Sequence, residues 1–132
     1  MRYLLDTHVW IWWHIAPDRL SPSVAALLST PSEEDELLLS AISPWEFAKL
    51  MEKKRLTLNI DPEIWLEKAM AMPGLRLVPL SPLIAYRSTV LPQPFHHDPG
   101  DQIIVATARD WDATLITKDE QLRKYPLVRT LW

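Results

Sequence analysis

The sequence predicts a three-layer α/β/α domain with a mainly parallel central sheet, and three features predict it. Short apolar segments of strand length recur along the chain. They do not alternate with polar residues, which is the habit of strands covered on both faces. Between them stand helix starts written as Ser-Pro or Asp-Pro, so that helix and strand alternate through most of the chain.

Taken in order, Tyr3 to Leu5 reads as the first strand and is closed by Asp6; Trp10, Trp12 and Trp13 follow in a helix-like stretch. Five helix starts come next, at Ser21-Pro22, Ser43-Pro44, Asp61-Pro62, Ser81-Pro82 and Asp98-Pro99. At such a start the Ser or Asp side chain accepts bonds from orphan backbone N–H groups, and proline gives up a donor that had no partner. The further strands are Leu37 to Ile42, Leu75 to Leu80, Thr114 to Ile116 and Val128 to Leu131. The helix from Pro44 runs through Glu46, Phe47, Leu50 and Met51 to Lys53-Lys54-Arg55, where positive charge suits a helix C-terminus. The helix from Pro62 ends near Gly74, and these two helices are expected to form a hairpin on one side of the sheet.

Composition narrows the function classes. A chain of 132 residues, 48% hydrophobic and 23% charged, is expected to form a single domain over residues 1–132. No apolar run approaches the ~20 residues that cross a bilayer, and no signal-like segment precedes Tyr3, so the expected compartment is the cytoplasm. The absence of cysteine excludes disulfides, thiolate metal sites and cysteine catalysis, leaving oxygen and imidazole as metal ligands. A net charge of −3 argues against coating nucleic acid by bulk electrostatics, but it permits a site whose acids need a cation before a phosphate approaches.

In an open parallel sheet, ligands bind beyond the carboxyl ends of the strands. Four acids from separate segments fall on that edge: Asp6 after the first strand, Glu46 in the turn after the second, Asp101 in the first turn of the Asp98-Pro99 helix, and Asp119 after Thr114 to Ile116. Each also has a structural reading. Ser43 and Glu46 have the spacing of a capping box, Asp98 and Asp119 suit N-caps, and Asp101 complements a helix dipole. Asp6 resists such a reading, because a carboxylate closing an apolar strand lies near the core, where an unpaired charge is costly. Jointly the four favour a metal site: ionised pairs ~5 Å apart repel by roughly 3 kcal/mol each at an effective dielectric near 20, and divalent cations offset that. Oxygen ligands without cysteine fit Mg²⁺ or Mn²⁺. Thr7, Ser43 and Thr117 flank the same edge and are assigned supporting roles, while His96 and His97 read as a polar loop because adjacent residues converge poorly on one ion. His8 and His14 receive no role.

Four segments carry a family resemblance that runs nearly end to end. They are Leu4-Leu5-Asp6-Thr7-His8, Ser40-Ala41-Ile42-Ser43-Pro44-Trp45-Glu46, the run from His96-His97-Asp98-Pro99-Gly100-Asp101 to Ala108, and Leu115-Ile116-Thr117-Lys118-Asp119. On these the chain resembles the PIN-domain ribonucleases, and most closely the VapC-type toxins of bacterial toxin–antitoxin pairs. The resemblance implies an α/β sandwich, Mg²⁺ or Mn²⁺ as cofactor and endonucleolytic cleavage of RNA. It matches Asp6, Glu46, Asp101 and Asp119 to the family's acidic site and Asp98 to an additional acid. It further implies a cognate antitoxin seated along Pro44 to Arg55 and Pro62 to Met72. The chain departs from the family at His97 and Gln102, where arginine is common, which bears on RNA affinity more than on the reaction. Seven tryptophans also need places; core packing is expected to take one or two, and a homodimer or antitoxin interface the rest. Two other readings start from the same acids. One is a catalytically silent binding module of the same fold; the other is a phosphoacceptor signalling domain, which would want paired acids after the first strand where Asp6 stands alone.

Overall fold

The computed structural model describes residues 1–132 and builds them around five parallel strands. These are β1 (Arg2–Leu5), β2 (Glu36–Ser40), β3 (Leu75–Val78), β4 (Thr114–Ile116) and β5 (Thr130–Leu131). Seven helices connect them: α1 (Thr7–Ile15), α2 (Pro22–Ser29), α3 (Ile42–Glu52), α4 (Pro62–Met70), α5 (Pro82–Ser88), α6 (Pro99–Asp110) and α7 (Glu120–Lys124). The strand order is β3-β2-β1-β4-β5. The chain therefore builds outward from β1 to one edge and then returns to build β4 and β5 on the other side. That reversal opens a crevice between the carboxyl ends of β1 and β4.

Side-chain alternation divides the apolar residues between two cores. Leu4, Leu38 and Leu115 point to one face and pack with Ile84, Ile104, Val105 and Leu122 from α5, α6 and α7. Leu5, Leu37, Leu39 and Ile116 point to the other and pack with Val9, Trp10, Val24, Phe47 and Trp65 from α1 to α4. Successive residues of a strand serving opposite cores is why the segments read as continuous apolar runs. The expected hairpin partners α3 and α4 share one face of the sheet through Phe47, whose ring stacks on Trp65 at 4.5 Å.

Four of the five Ser-Pro or Asp-Pro starts cap their helices as expected, with Ser21, Asp61, Ser81 and Asp98 each accepting a backbone N–H. Ser43 is the exception. Helix α3 begins at Ile42 behind Ala41, so Ser43 and Pro44 lie inside its first turn and no capping box forms with Glu46. Strands β2 and β3 stop at Ser40 and Val78, two residues short of the expected ends, because the chain has already turned toward α3 and α5. Helix α4 ends at Met70, and Gly74, at φ +81°, supplies the left-handed turn that leads into β3.

The tryptophans are mostly structural, which corrects the expectation that core packing takes only one or two. Trp10 and Trp65 are buried, Trp12, Trp13 and Trp132 pack against the same core, and Trp111 packs against the other. Only Trp45 is exposed. Because Leu38 is fully buried in a strand flanked on both sides, Leu38→Ala is expected to cost about 2–5 kcal/mol, read as a lower midpoint in urea denaturation.

Candidate active site

The crevice predicted by the strand order is an open cleft of about 520 Å³, a size suited to a small ligand or part of a polymer. Asp6, Thr7, Glu46, Asp98, Asp101 and Asp119 all line it, so the five acids singled out in the sequence share one cavity. Ser43 and Thr117 lie buried just behind it.

Asp6 is the most enclosed acid. Its backbone N–H extends the β1–β4 ladder to Ile116 O at 3.0 Å, which fixes it at the end of the strand. Its Oδ1 accepts the Thr7 N–H at 2.8 Å and its Oδ2 accepts the Thr117 hydroxyl at 2.8 Å. Burial pushes its pKa upward, against those two bonds. Glu46 projects from the first turns of α3, and its Oε1 accepts the Thr7 hydroxyl at 2.5 Å. Thr7 Oγ1 also lies 2.8 Å from Ser43 Oγ, so the two hydroxyls form a relay that orients Glu46. Burial, together with Asp6, Asp101 and Asp98 nearby, raises Glu46 to about 7.

Asp101 sits in the first turn of α6, where its Oδ2 lies 2.7 Å from His96 Nε2. Burial and the neighbouring acids raise it to about 6 in spite of that bond. Asp98 and Asp119 take up the capping roles the sequence allowed. Asp98 Oδ1 accepts the Asp101 N–H at 2.9 Å, and Asp119 Oδ1 accepts the N–H groups of Gln121 at 2.8 Å and Leu122 at 3.4 Å. Each acid is thus held by its own local donor. In these rotamers no three of the carboxylates and imidazoles converge closely enough to hold an ion together. The donor set nonetheless suits a hard divalent cation, since it consists of carboxylate and hydroxyl oxygens with no thiolate. The upward pKa shifts, caused first by burial and then by the neighbouring acids, mark carboxylates whose charge such a cation would stabilise.

Several lining residues were not singled out in the sequence. His8, Trp45, Lys49, Leu50, Lys53, Arg55 and Gly100 all face the cleft. The residues on and just after α3 were legible in principle, since positions 49, 50 and 53 fall at helical spacing from Glu46 and Trp45 adjoins it. His96, read as part of a polar loop, does lie in a loop, but it also contacts Asp101, and no spacing rule announces that contact. His97 is exposed in the same loop. At Gly100 an added Cβ would lie 2.8 Å from the Glu46 carboxyl carbon, so only a hydrogen fits there.

Comparison with known proteins agrees with this fold. The PIN domain family matches residues 3–127. The chain is 37% identical over 131 residues to Ribonuclease VapC22 of Mycobacterium tuberculosis, covering 98% of this chain and 97% of that protein. A toxin–antitoxin complex from Klebsiella pneumoniae contains a chain 25% identical with a TM-score of 0.63, covering 96% of this chain and 94% of that one. VapBC2 from Rickettsia felis, solved bound to a promoter DNA fragment, shares the fold at 16% identity with a TM-score of 0.69, covering 99% and 98% of the two chains.

Two predictions follow from the electrostatics and packing of the site. Glu46, shifted from 4.5 to about 7, binds more protons folded than unfolded between those values, so its stabilising contribution is complete below 4.5 and is lost as pH rises through about 7. Asp101 acts with the same sign between 3.8 and about 6. In chelator, the thermal midpoint is expected to fall from pH 5 to pH 8 and to fall less in Glu46→Gln. Gly100→Ala is expected to displace Glu46 and reduce catalytic turnover while changing the thermal midpoint little; a variant as active as the parent would count against the close approach.

Proposed function

The chain belongs to the PIN-domain family, and from that premise we propose that it is a metal-dependent endoribonuclease acting as the toxin of a toxin–antitoxin pair. We take residues 1–132 as one nuclease domain. The observation that carries the reading is the enclosure of Asp6 at the β1–β4 switch point, in one cleft with Glu46 and Asp101, where burial first and the Asp6 charge second raise the pKa of both neighbours. A buried cluster of mutually repelling carboxylates, each fixed by a hydroxyl, an N–H or an imidazole, is costly to fold without a cation to complete it. The 37% identity to a ribonuclease supports RNA as the substrate class.

Asp6, Asp101 and Asp119 are assigned as metal ligands, with Glu46 holding a second ion or orienting the attacking water. Mg²⁺ or Mn²⁺ bound there would supply Lewis acidity toward a phosphoryl oxygen and compensate developing charge. The chain's own contributions are positional. Thr117 and the Thr7 N–H hold the two Asp6 oxygens, while Ser43 and the Thr7 hydroxyl aim Glu46. Asp98 fixes the first turn of α6 and with it the Asp101 backbone. Glu46 then directs a water at phosphorus in line with the leaving 3′ oxygen, which departs as a hydroxyl and leaves a 5′-phosphate.

The proposed antitoxin binds along Pro44 to Arg55 and Pro62 to Met72, the surface of α3 and α4 beside the cleft. Exposed Ile64 provides an apolar anchor there, and exposed Ile60 lies just ahead of α4. Homodimerisation is proposed at the edge strand β3 and at α5, where Leu77, Leu80, Leu83, Tyr86 and Val90 are exposed, in place of the tryptophans that proved to be packed. The proposed compartment is the cytoplasm.

Asp6→Asn is expected to abolish RNA cleavage while holding the thermal midpoint at or above the parent's, because a neutral isostere replaces a destabilised charge. Thr117→Val is expected to weaken Mn²⁺ binding about 10–100-fold by calorimetry, the range for losing a group that orients a ligand. Cleavage at the parental rate by Asp6→Asn would sink the assignment.

A further inference from the structure

Trp45 is the one tryptophan the fold does not use. It is 56% exposed on α3, and its neighbour in sequence is the candidate catalytic Glu46. Its ring lines the cleft together with Lys49, Lys53 and Arg55. Lys49 Nζ sits 5.5 Å from the indole centroid and also pairs with Glu52. Lys53 and Arg55 are exposed and enter none of the protein's ion pairs. One side of the cleft is therefore acidic and the adjoining wall is basic and aromatic, in a chain whose net charge is −3.

We propose that this wall, formed by α3 and the turn that follows it, is a track for an unpaired stretch of RNA, on which the Trp45 indole stacks a nucleobase while Lys49, Lys53 and Arg55 carry the flanking phosphates. The inference rests on the ribonuclease reading and deepens it by naming the residues of this chain that would hold the strand beside the acids. The dimensions agree. A rise of 1.5 Å per residue puts Lys53, at the C-cap of α3, about 10 Å beyond Glu46, so the wall lies within a few nucleotides of the acids. Lys49 occupies one face of the indole by a cation–π contact, which leaves the other face for a base. A base inside a duplex is already stacked on both sides and is out of reach of an indole beside the scissile phosphate, whereas an unpaired base can be splayed onto it. Cationic side chains on the approach also offset the repulsion that the acids exert on a polyanion.

The test is fluorescence anisotropy of a fluorescein-labelled oligoadenylate with the full chain in Mg²⁺, in an Asp6→Asn background so that the strand is not cut. Trp45→Ala is expected to weaken binding about 5- to 150-fold, the usual range for one base–aromatic stack, and Trp45→Phe to retain most of the affinity. On an abasic ribose-phosphate strand the Trp45→Ala effect should vanish. Lys53→Ala and Arg55→Ala should each lower the slope of log affinity against log salt by about 0.7. Thermal midpoints of the Trp45 variants should match the parent's, as expected for an exposed side chain.

The track is overturned if Trp45→Ala binds oligoadenylate as tightly as the parent, or loses as much on fully paired RNA. It is equally overturned if Trp45→Ala spares RNA but weakens binding of a co-expressed protein partner, since the wall then serves that partner. A parent that binds and cuts no RNA would remove the ribonuclease reading itself, a result distinct from an indifferent Trp45.

Discussion

The site depends on register: the pairing of β1 with β4 decides where the carboxylate of Asp6 stands at the point where the sheet reverses direction. Asp6 ends β1, the central strand, and its backbone is still tied to β4 while its side chain has left the sheet. Its two oxygens are held by Thr7 at the start of α1 and Thr117 at the end of β4. Any shift in the register of β1 against β4 would therefore misplace the acid. The apolar residues that set that register, Leu4 and Leu5 against Leu115 and Ile116, sit in the two cores. Packing on both faces and the position of one charged group are thus the same constraint. Because a slip of one residue would exchange the two faces, the register is strongly specified.

The other acids show how a protein stores like charges close together. Each is satisfied by a different neighbour: Glu46 by a hydroxyl, Asp101 by an imidazole, Asp98 and Asp119 by helix N-termini. Helix N-termini favour anionic side chains through their exposed N–H groups and dipole, so two of the charges are stabilised by the fold itself. These local bonds also explain why the acids share one cavity without closing on a common point. Structural reading and functional reading were posed as rivals for Asp98 and Asp119, yet a cap at the carboxyl edge of a sheet faces the cleft by construction. One residue can serve both ends.

How much of this was legible follows from the range of each signal. The N-caps Ser21, Asp61, Ser81 and Asp98 were readable because capping is local and proline fixes the next residue. The parallel sheet was readable because burial on both faces leaves continuous apolar runs such as Leu37-Leu38-Leu39. Ser43 misled because its local signature matched a cap, while its actual partner, Thr7, lies on a different helix. The tryptophans misled for a related reason: Trp12 and Trp132 meet at 6.2 Å from opposite ends of the chain, and Trp10 meets Trp65 across two helices. Counting tryptophans against one core could not reveal that the sheet supports two. The His96–Asp101 contact depends on the path of a loop, which no periodicity encodes.

The electrostatic layout resolves what looks contradictory in an acidic chain reading a polyanion. A uniformly basic surface would bind nucleic acid everywhere and depend on counterion release for affinity. Here the cations at positions 49, 53 and 55 face the cleft from α3 and the turn that follows it, while the acids gather at the strand ends. In the proposed track, a strand following these cations would be led to the acids, where a bound cation would neutralise the protein's negative charge. The division also separates two properties that a basic surface would merge. Affinity would come from the wall and chemistry from the acids, so each can change without the other. Loss of arginine at positions such as 97 and 102, where the chain carries His97 and Gln102, is then tolerable because α3 supplies cations from a different element. In the proposed track, the helix that bears Glu46 would also set where a strand runs.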